Sequence, residues 1–174
     1  FRNHVIFEYE DFGRNISDYA RTFHFWSSPH KPLDFPPIEV DSIRSIVRPV
    51  IAGIRYLHSK NMICGNIMSS TIFEKAKNLR LVNYGYDPNK QALRYRSPEA
   101  IMGLPVDLSS DMFSFGLLLI ELINGRPMFN GRTDNEQFAL YVDFLGSPPR
   151  ELMRRSSRSR ELAIPKSGNV KIDR

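Results

Sequence analysis

Residues 111–123 are apolar on nearly every face of a helix, and this constrains the fold more than any other feature of the chain. Phe113, Phe115, Leu117, Leu118, Leu119, Ile120 and Leu122 leave little polar surface to meet water. The longest uninterrupted apolar run, Phe115 to Ile120, is far shorter than the roughly 20 residues that span a bilayer. The segment therefore predicts a helix buried at the centre of a domain, ended by Gly125.

Other elements must pack around it. From Ile38 to Lys60, Ile43, Ile46, Val47, Val50, Ile51, Ile54 and Leu57 recur at three- and four-residue steps, which predicts an amphipathic helix kinked at Pro49. His4 to Tyr9 reads as a short strand, Asp11 to Asn15 as a turn, and Asn15 or Ser17 as the cap of a short helix through Tyr19. The proline-rich stretch from Thr22 to Pro37 reads as a loop. Thr71-Ile72-Phe73 and Leu79 to Val82 read as two strands joined like a hairpin through Glu74 to Asn78. Ser97-Pro98-Glu99 opens a short helix with Ser at the cap and Pro at the first position. Thr133-Asp134-Asn135-Glu136 has capping-box spacing and starts a helix through Leu145, stopped by Ser147-Pro148-Pro149. The tail from Arg150 is polar and poorly patterned.

Composition narrows the function classes. Hydrophobic residues make up 41% of the 174 and charged residues 25%, enough for a sizeable core. A single cysteine rules out an internal disulfide framework and suits a reducing compartment, which implies an intracellular protein, cytoplasmic or nuclear. The chain opens at Phe1 without an initiator Met or the features of a signal peptide, and so reads as an internal fragment. Part of the net charge of +5 is local, in Arg150, Arg154, Arg155, Arg158 and Arg160. No aromatic residue interleaves these arginines, so they read as a solvated basic loop and not as a specific nucleic-acid platform. Arg154-Arg155-Ser156-Ser157 has the spelling of a substrate site for an arginine-directed kinase. His4, His24 and His30 show no ligand spacing, His58 reads as a structural residue at a helix end, and Cys64 reads as core.

The remaining signal lies in ordered motifs: Tyr56-Leu57-His58-Ser59-Lys60-Asn61, then Cys64 to Ile72, Leu79 to Gly85, Tyr95-Arg96-Ser97-Pro98-Glu99, and Asp111-Met112-Phe113-Ser114-Phe115-Gly116. In this order they resemble the large C-terminal lobe of a eukaryotic protein kinase. Pro127 to Gly131, Leu145 to Pro149 and the Tyr-Arg-Ser-Pro-Glu spelling are similar to the CMGC group, its DYRK and homeodomain-interacting branches in particular. The resemblance implies an α+β, kinase-like fold: a mainly α-helical C-lobe with a small catalytic-loop hairpin and the N-lobe largely missing. It implies one partial domain over 1–174, with the last N-lobe strand and hinge in 1–10, the C-lobe core in 11–149 and a CMGC-like insertion or tail in 150–174.

The same resemblance assigns the site residues, and most of the working groups are replaced. Asn66 stands at the position of the catalytic carboxylate base, and an amide cannot serve as that base. Met68 stands where a lysine contacts the transferred phosphate. Thr71 and Asn83 stand at the two magnesium-ligand positions and offer no charge to a hard cation. Cys64 and Gly65 replace a His-Arg pair whose Arg receives the activation-loop phosphate, so no phosphate-driven ordering is expected. Asp111 corresponds to a buried Asp that bonds the catalytic-loop backbone, Tyr84 and Gly85 to the end of the metal-loop triplet, and Glu99 to an ion-pair Glu whose Arg partner lies beyond Arg174. Phe7, Glu8, Glu10 and Phe73 correspond to gatekeeper, hinge and adenine-floor positions.

The expected reading is a pseudokinase that acts as a protein-binding scaffold, with the helix from Thr133 and the segment after Leu145 as docking surfaces. No cofactor is implied beyond ATP held without magnesium. Its partners would be proteins, an active kinase or that kinase's substrates, with no specific nucleic acid and no membrane. The alternatives are an active ATP-dependent serine/threonine kinase and a truncated product without independent function.

Overall fold

The computed structural model of the chain describes residues 10–18, 40–75, 78–82, 85, 87 and 91–162. The expected strand His4 to Tyr9, the loop Thr22 to Pro37 and the positions Phe7, Glu8, Asn83 and Tyr84 lie outside the described residues. The arrangement is mixed α+β. A three-stranded antiparallel sheet, β1 (Arg14–Asn15), β2 (Ile72–Lys75) and β3 (Asn78–Leu81), accompanies the helices α1 (Val40–Ser59), α2 (Pro98–Ile101), α3 (Leu108–Asn124), α4 (Asp134–Leu145) and α5 (Arg150–Arg155).

The expected hairpin forms with shifted bounds: Glu74, Lys75 and Asn78, expected in the connection, pair within the strands, while Thr71 and Val82 fall just outside them. Ile72 pairs with Leu81, and Lys75 with Asn78. Thr71 belongs to a 3-10 turn before β2, but its carbonyl still accepts from Val82 N at 3.0 Å. The pairing of β1 with β2 was not legible in so short a segment. Asp11 leads into it on the surface, its carboxylate accepting from Gly13 N at 2.9 Å and from Lys75 Nζ at 3.1 Å. Gly13 has φ +82°, and a Cβ there would lie 2.3 Å from the Glu74 carbonyl oxygen, so a glycine is needed at this crossing. Of the two candidate caps, Asn15 holds the helical turn at 16–18: its Oδ1 accepts from Asp18 N at 2.7 Å.

Helix α1 buries Ile43, Val50, Ile54 and Leu57 of the expected stripe and packs against α3 and β3; Ile46 and Val47 are half-buried, and Ile51, expected in the stripe, is exposed because it lies at the edge of that face. Pro49 sits inside it on the exposed face, where water can serve the carbonyl that loses its helical partner. Helix α3 starts earlier than its apolar run, at Leu108, because Asp107 caps it by accepting from Ser109 N at 2.8 Å. Gly125, at φ +72°, ends it. Phe115, Leu117, Leu118 and Leu122 are buried, while Met112 and Ile123 are about half exposed at 50% and 54%. The described residues therefore cover one side of the helix more fully than the other, whereas its sequence implied burial on nearly every face.

Thr133 caps α4 by accepting from Glu136 N at 3.2 Å, and Glu136 returns the bond to Arg132 N, one residue short of the capping-box partner. Phe129 and Phe113 meet the ring of Tyr141 edge-on at 4.9 and 5.4 Å, which joins α4 to α3. Residues 150–162 pack on the domain: α5 spans Arg150–Arg155, and Leu162 is buried at 3% exposure. Polar composition hid this docking, because the segment is held mainly by side-chain hydrogen bonds.

Phe138 is 2% exposed and Phe144 is 57% exposed on the same helix. Phe138→Ala is expected to cost about 3–5 kcal/mol in urea unfolding. Phe144→Ala should cost about 1 kcal/mol or less, since it loses only the edge contact with Phe129.

Candidate functional site

The loop from Ile63 to Thr71 hangs from one carboxylate. Asp111, in the first turn of α3 and 1% exposed, accepts from Cys64 N and from Gly65 N at 2.8 Å each. His58 Nε2, from the end of α1, lies 2.7 Å from the same carboxylate. A buried charge is tolerable only when bonded in this way. The Cys64 carbonyl in turn accepts from Gly85 N at 2.8 Å, which brings the loop after β3 beside this one. Gly65 has φ +74°, a conformation that costs a side-chain-bearing residue of the order of 1 kcal/mol and costs glycine little. A glycine at this position meets that backbone geometry without strain.

Ile67, 1% exposed, anchors the middle of the loop in the core. Asn66 and Met68 flank it, half-buried. Thr71 closes the loop on itself. Its hydroxyl shares one proton between the carbonyls of Asn66 at 2.5 Å and Met68 at 3.0 Å, and it lies 3.3 Å from Met68 N as an acceptor. Phe73 is half-buried on β2, its ring 5.9 Å from that of Phe12. Glu10 is exposed and pairs with Arg80 of β3.

A second set of bonds fastens residues 91–97. The Tyr95 hydroxyl donates to Glu121 of α3, and Ser69 Oγ lies 3.3 Å from both. Burial, together with the charge of Glu121, holds the Tyr95 phenol well above its ordinary range. Ser114 Oγ donates to the Tyr95 carbonyl at 2.7 Å, and the Tyr141 hydroxyl to the Arg96 carbonyl at 2.6 Å. Arg96 reaches Asp134 at 2.9 Å and the Gln91 carbonyl at 2.8 Å.

Sequence reasoning placed the partner of Glu99 beyond Arg174. Within the described residues, Glu99 accepts from Ser110 Oγ at 2.5 Å, which itself accepts from Ser97 Oγ at 3.1 Å. Ser97 thus occupies the cap position of α2 without capping it; its hydroxyl is spent on Ser110. The available signal was Ser110 itself, a small hydroxyl beside an apolar run. The Ser69–Tyr95–Glu121 cluster carried no such signal, since its members are 26 and 52 residues apart.

Among the described residues no group of three or more His, Cys, Asp or Glu could hold a metal ion, and no helix is long and apolar enough to cross a membrane.

A protein kinase domain model matches residues 6–162. The chain belongs to the protein kinase family. It is 28% identical to "Probable serine/threonine-protein kinase dyrk2" of Dictyostelium discoideum, over 91% of this chain and 17% of that protein. It is 26% identical to mouse (Mus musculus) dual specificity tyrosine-phosphorylation-regulated kinase 3, over 92% of this chain and 28% of that one. The human (Homo sapiens) kinase 4 of the same name is 28% identical, over 91% and 31%. The chain is therefore related to the DYRK kinases of the CMGC group, and it spans less than a third of the length of these relatives.

Two predictions follow from the loop anchor. Asp111→Ala leaves two buried N–H groups and His58 without their acceptor and is expected to cost about 3–5 kcal/mol in denaturant unfolding; a loss under about 1 kcal/mol would refute the anchoring role. Burial pushes the Cys64 thiol from an ordinary 9.0 up to about 11. The folded state then keeps a proton that the unfolded thiol releases, so this contribution is full below pH 9 and is lost as pH rises toward about 11. Urea midpoints should fall over that range, and Cys64→Ala should flatten part of the fall, leaving the share of Tyr95 and Tyr141, whose phenols are also raised.

Proposed function

We propose that the domain is a pseudokinase: a kinase-shaped, protein-binding module that does not transfer phosphate. The observation that carries this is the state of Thr71. Its hydroxyl is consumed by the Asn66 and Met68 backbone, and its side chain is 4% exposed, so it is not free to ligate a metal from that position. The donor set at the aligned positions, Asn66, Met68, Thr71 and Asn83, contains no carboxylate and no ammonium. Such a set does not suit magnesium, which favours carboxylate and phosphate oxygens. It also lacks the charge that steadies a phosphoryl group in flight. Losing one pre-organised charged group of this kind costs roughly 2.7–4 kcal/mol of transition-state stabilisation, and several coupled losses act in the same direction without adding.

Support for a binding role comes from surface chemistry. Phe144 and Leu145, adjacent at the end of α4, are 57% and 58% exposed, apolar area that a protein partner could cover. The partner class consistent with the family is another protein kinase or a kinase substrate. The naming of the relatives as serine/threonine or dual-specificity kinases favours the competing reading, an active kinase; the replaced groups weigh against it.

Thermal denaturation of the full-length protein separates these readings. ATP and an adenine-site inhibitor are each titrated with and without magnesium. A ligand that binds only the folded state must raise the melting temperature. The expected result is a cooperative melt that magnesium does not move in the presence of ATP. A magnesium-dependent ATP shift would overturn the reading, and a sample with no cooperative melt would favour the truncated product.

A further inference from the structure

The Arg/Ser run is folded back over the end of α2 (Pro98–Ile101). Three consecutive carbonyls there receive three consecutive side chains. Arg158 Nη1 donates to Ile101 O at 3.0 Å, Ser156 Oγ to Met102 O at 2.6 Å and Ser157 Oγ to Gly103 O at 3.2 Å. Arg158 also binds Asp134 at the start of α4, at 2.5 Å, and Glu161 at 3.1 Å. Residues 156–158 thus form a clasp that joins α2, the helix that begins within the Tyr-Arg-Ser-Pro-Glu motif, to α4.

The two adjacent serines differ in access. Ser156 is 5% exposed, whereas Ser157 lies on the surface. Arg154 and Arg155, three and two residues before Ser157, are both exposed. That spacing suits a serine kinase whose substrate groove carries carboxylates for two arginines. We propose that Ser157 is a phosphorylation site for an arginine-directed serine kinase, and that the phosphate opens the clasp on the end of α2. In the reaction Ser157 Oγ bonds to the γ-phosphorus of a nucleoside triphosphate. The bond from that phosphorus to the β–γ bridging oxygen breaks, the nucleoside diphosphate leaves, and the hydroxyl proton passes to a base of the modifying kinase.

Helix α5 has no fully buried side chain, and Met153 is the one member of its last turn packed against the core, so opening that turn to present the arginines and the serine forfeits mainly the Met153 packing. Once added, the phosphate does not fit the clasp. A Cβ built on Gly103 would lie 2.2 Å from Ser157 Oγ, so the hydroxyl already fills the space beside that backbone. Phosphate oxygens are acceptors and cannot bond the Gly103 carbonyl, so the existing hydrogen bond is lost. The added charge, about −1.5 to −2, also competes with Asp134 for Arg158.

The test uses the full-length protein, MgATP and the catalytic subunit of an arginine-directed serine kinase, with tandem mass spectrometry to place the phosphate. The expected product carries phosphate on Ser157. Ser157→Ala abolishes it, and Arg154→Gln with Arg155→Gln slows it at least about tenfold. Phosphate confined to Ser156 or Ser159, or absent from the folded protein, overturns the site. Hydrogen exchange across residues 156–162 reads the clasp: phosphorylation is expected to speed it about tenfold or more, and unchanged exchange overturns the opening.

Discussion

One buried carboxylate holds the arrangement together. Asp111 accepts from two backbone N–H groups of the loop and faces the imidazole of His58, so the end of α1, the loop and the start of α3 meet at a single charge. A carboxylate out of water needs several donors, and a loop in this place needs acceptors for its N–H groups. Each requirement satisfies the other. Because the grip is on backbone, the loop's side chains can change without dissolving its shape. That is how this loop keeps its shape with the uncharged side chains of Asn66, Met68 and Thr71.

The segment before α2 follows a similar logic with different groups. Tyr95 is tied to Glu121, its carbonyl to Ser114, and the Arg96 carbonyl to Tyr141. Asp134 takes Arg96 on one oxygen and Arg158 on the other. A permanent carboxylate thus supplies the negative charge for two arginines from distant parts of the chain. These ties are long in sequence and short in space, so their closure entropy must be met by the core they enclose, chiefly Ile101, Leu118, Phe138 and Tyr141.

Local rules read well wherever one neighbourhood of residues decided the outcome. The stripe Ile43 to Leu57 made a helix because its period matched a face that α3 could cover. Thr133 capped α4 and Gly125 ended α3 through bonds to neighbours in sequence. Reading failed where a partner was remote. Ser97 was expected to cap α2 but bonds Ser110 instead, thirteen residues on, in a relay that ends on the half-buried Glu99 carboxylate. The tail from Arg150 reads as polar and poorly patterned because it lacks a hydrophobic period, while carbonyls 101–103 and Asp134 hold its residues 156–158.

The sequence by itself determined the family, the α+β class, the central helix and the identity of the groups at the loop positions, because these depend on residue type, order and period. Only the tertiary structure decided what those groups do. The Thr71 hydroxyl is turned onto its own loop, Glu99 is satisfied by a serine, Cys64 is sealed in the core, and of two neighbouring serines one is buried and one is on the surface. The physical reason is that a hydrogen bond or a burial is a property of a pair or a packed neighbourhood. The chain specifies such pairs only after folding has brought together residues that are tens of positions apart.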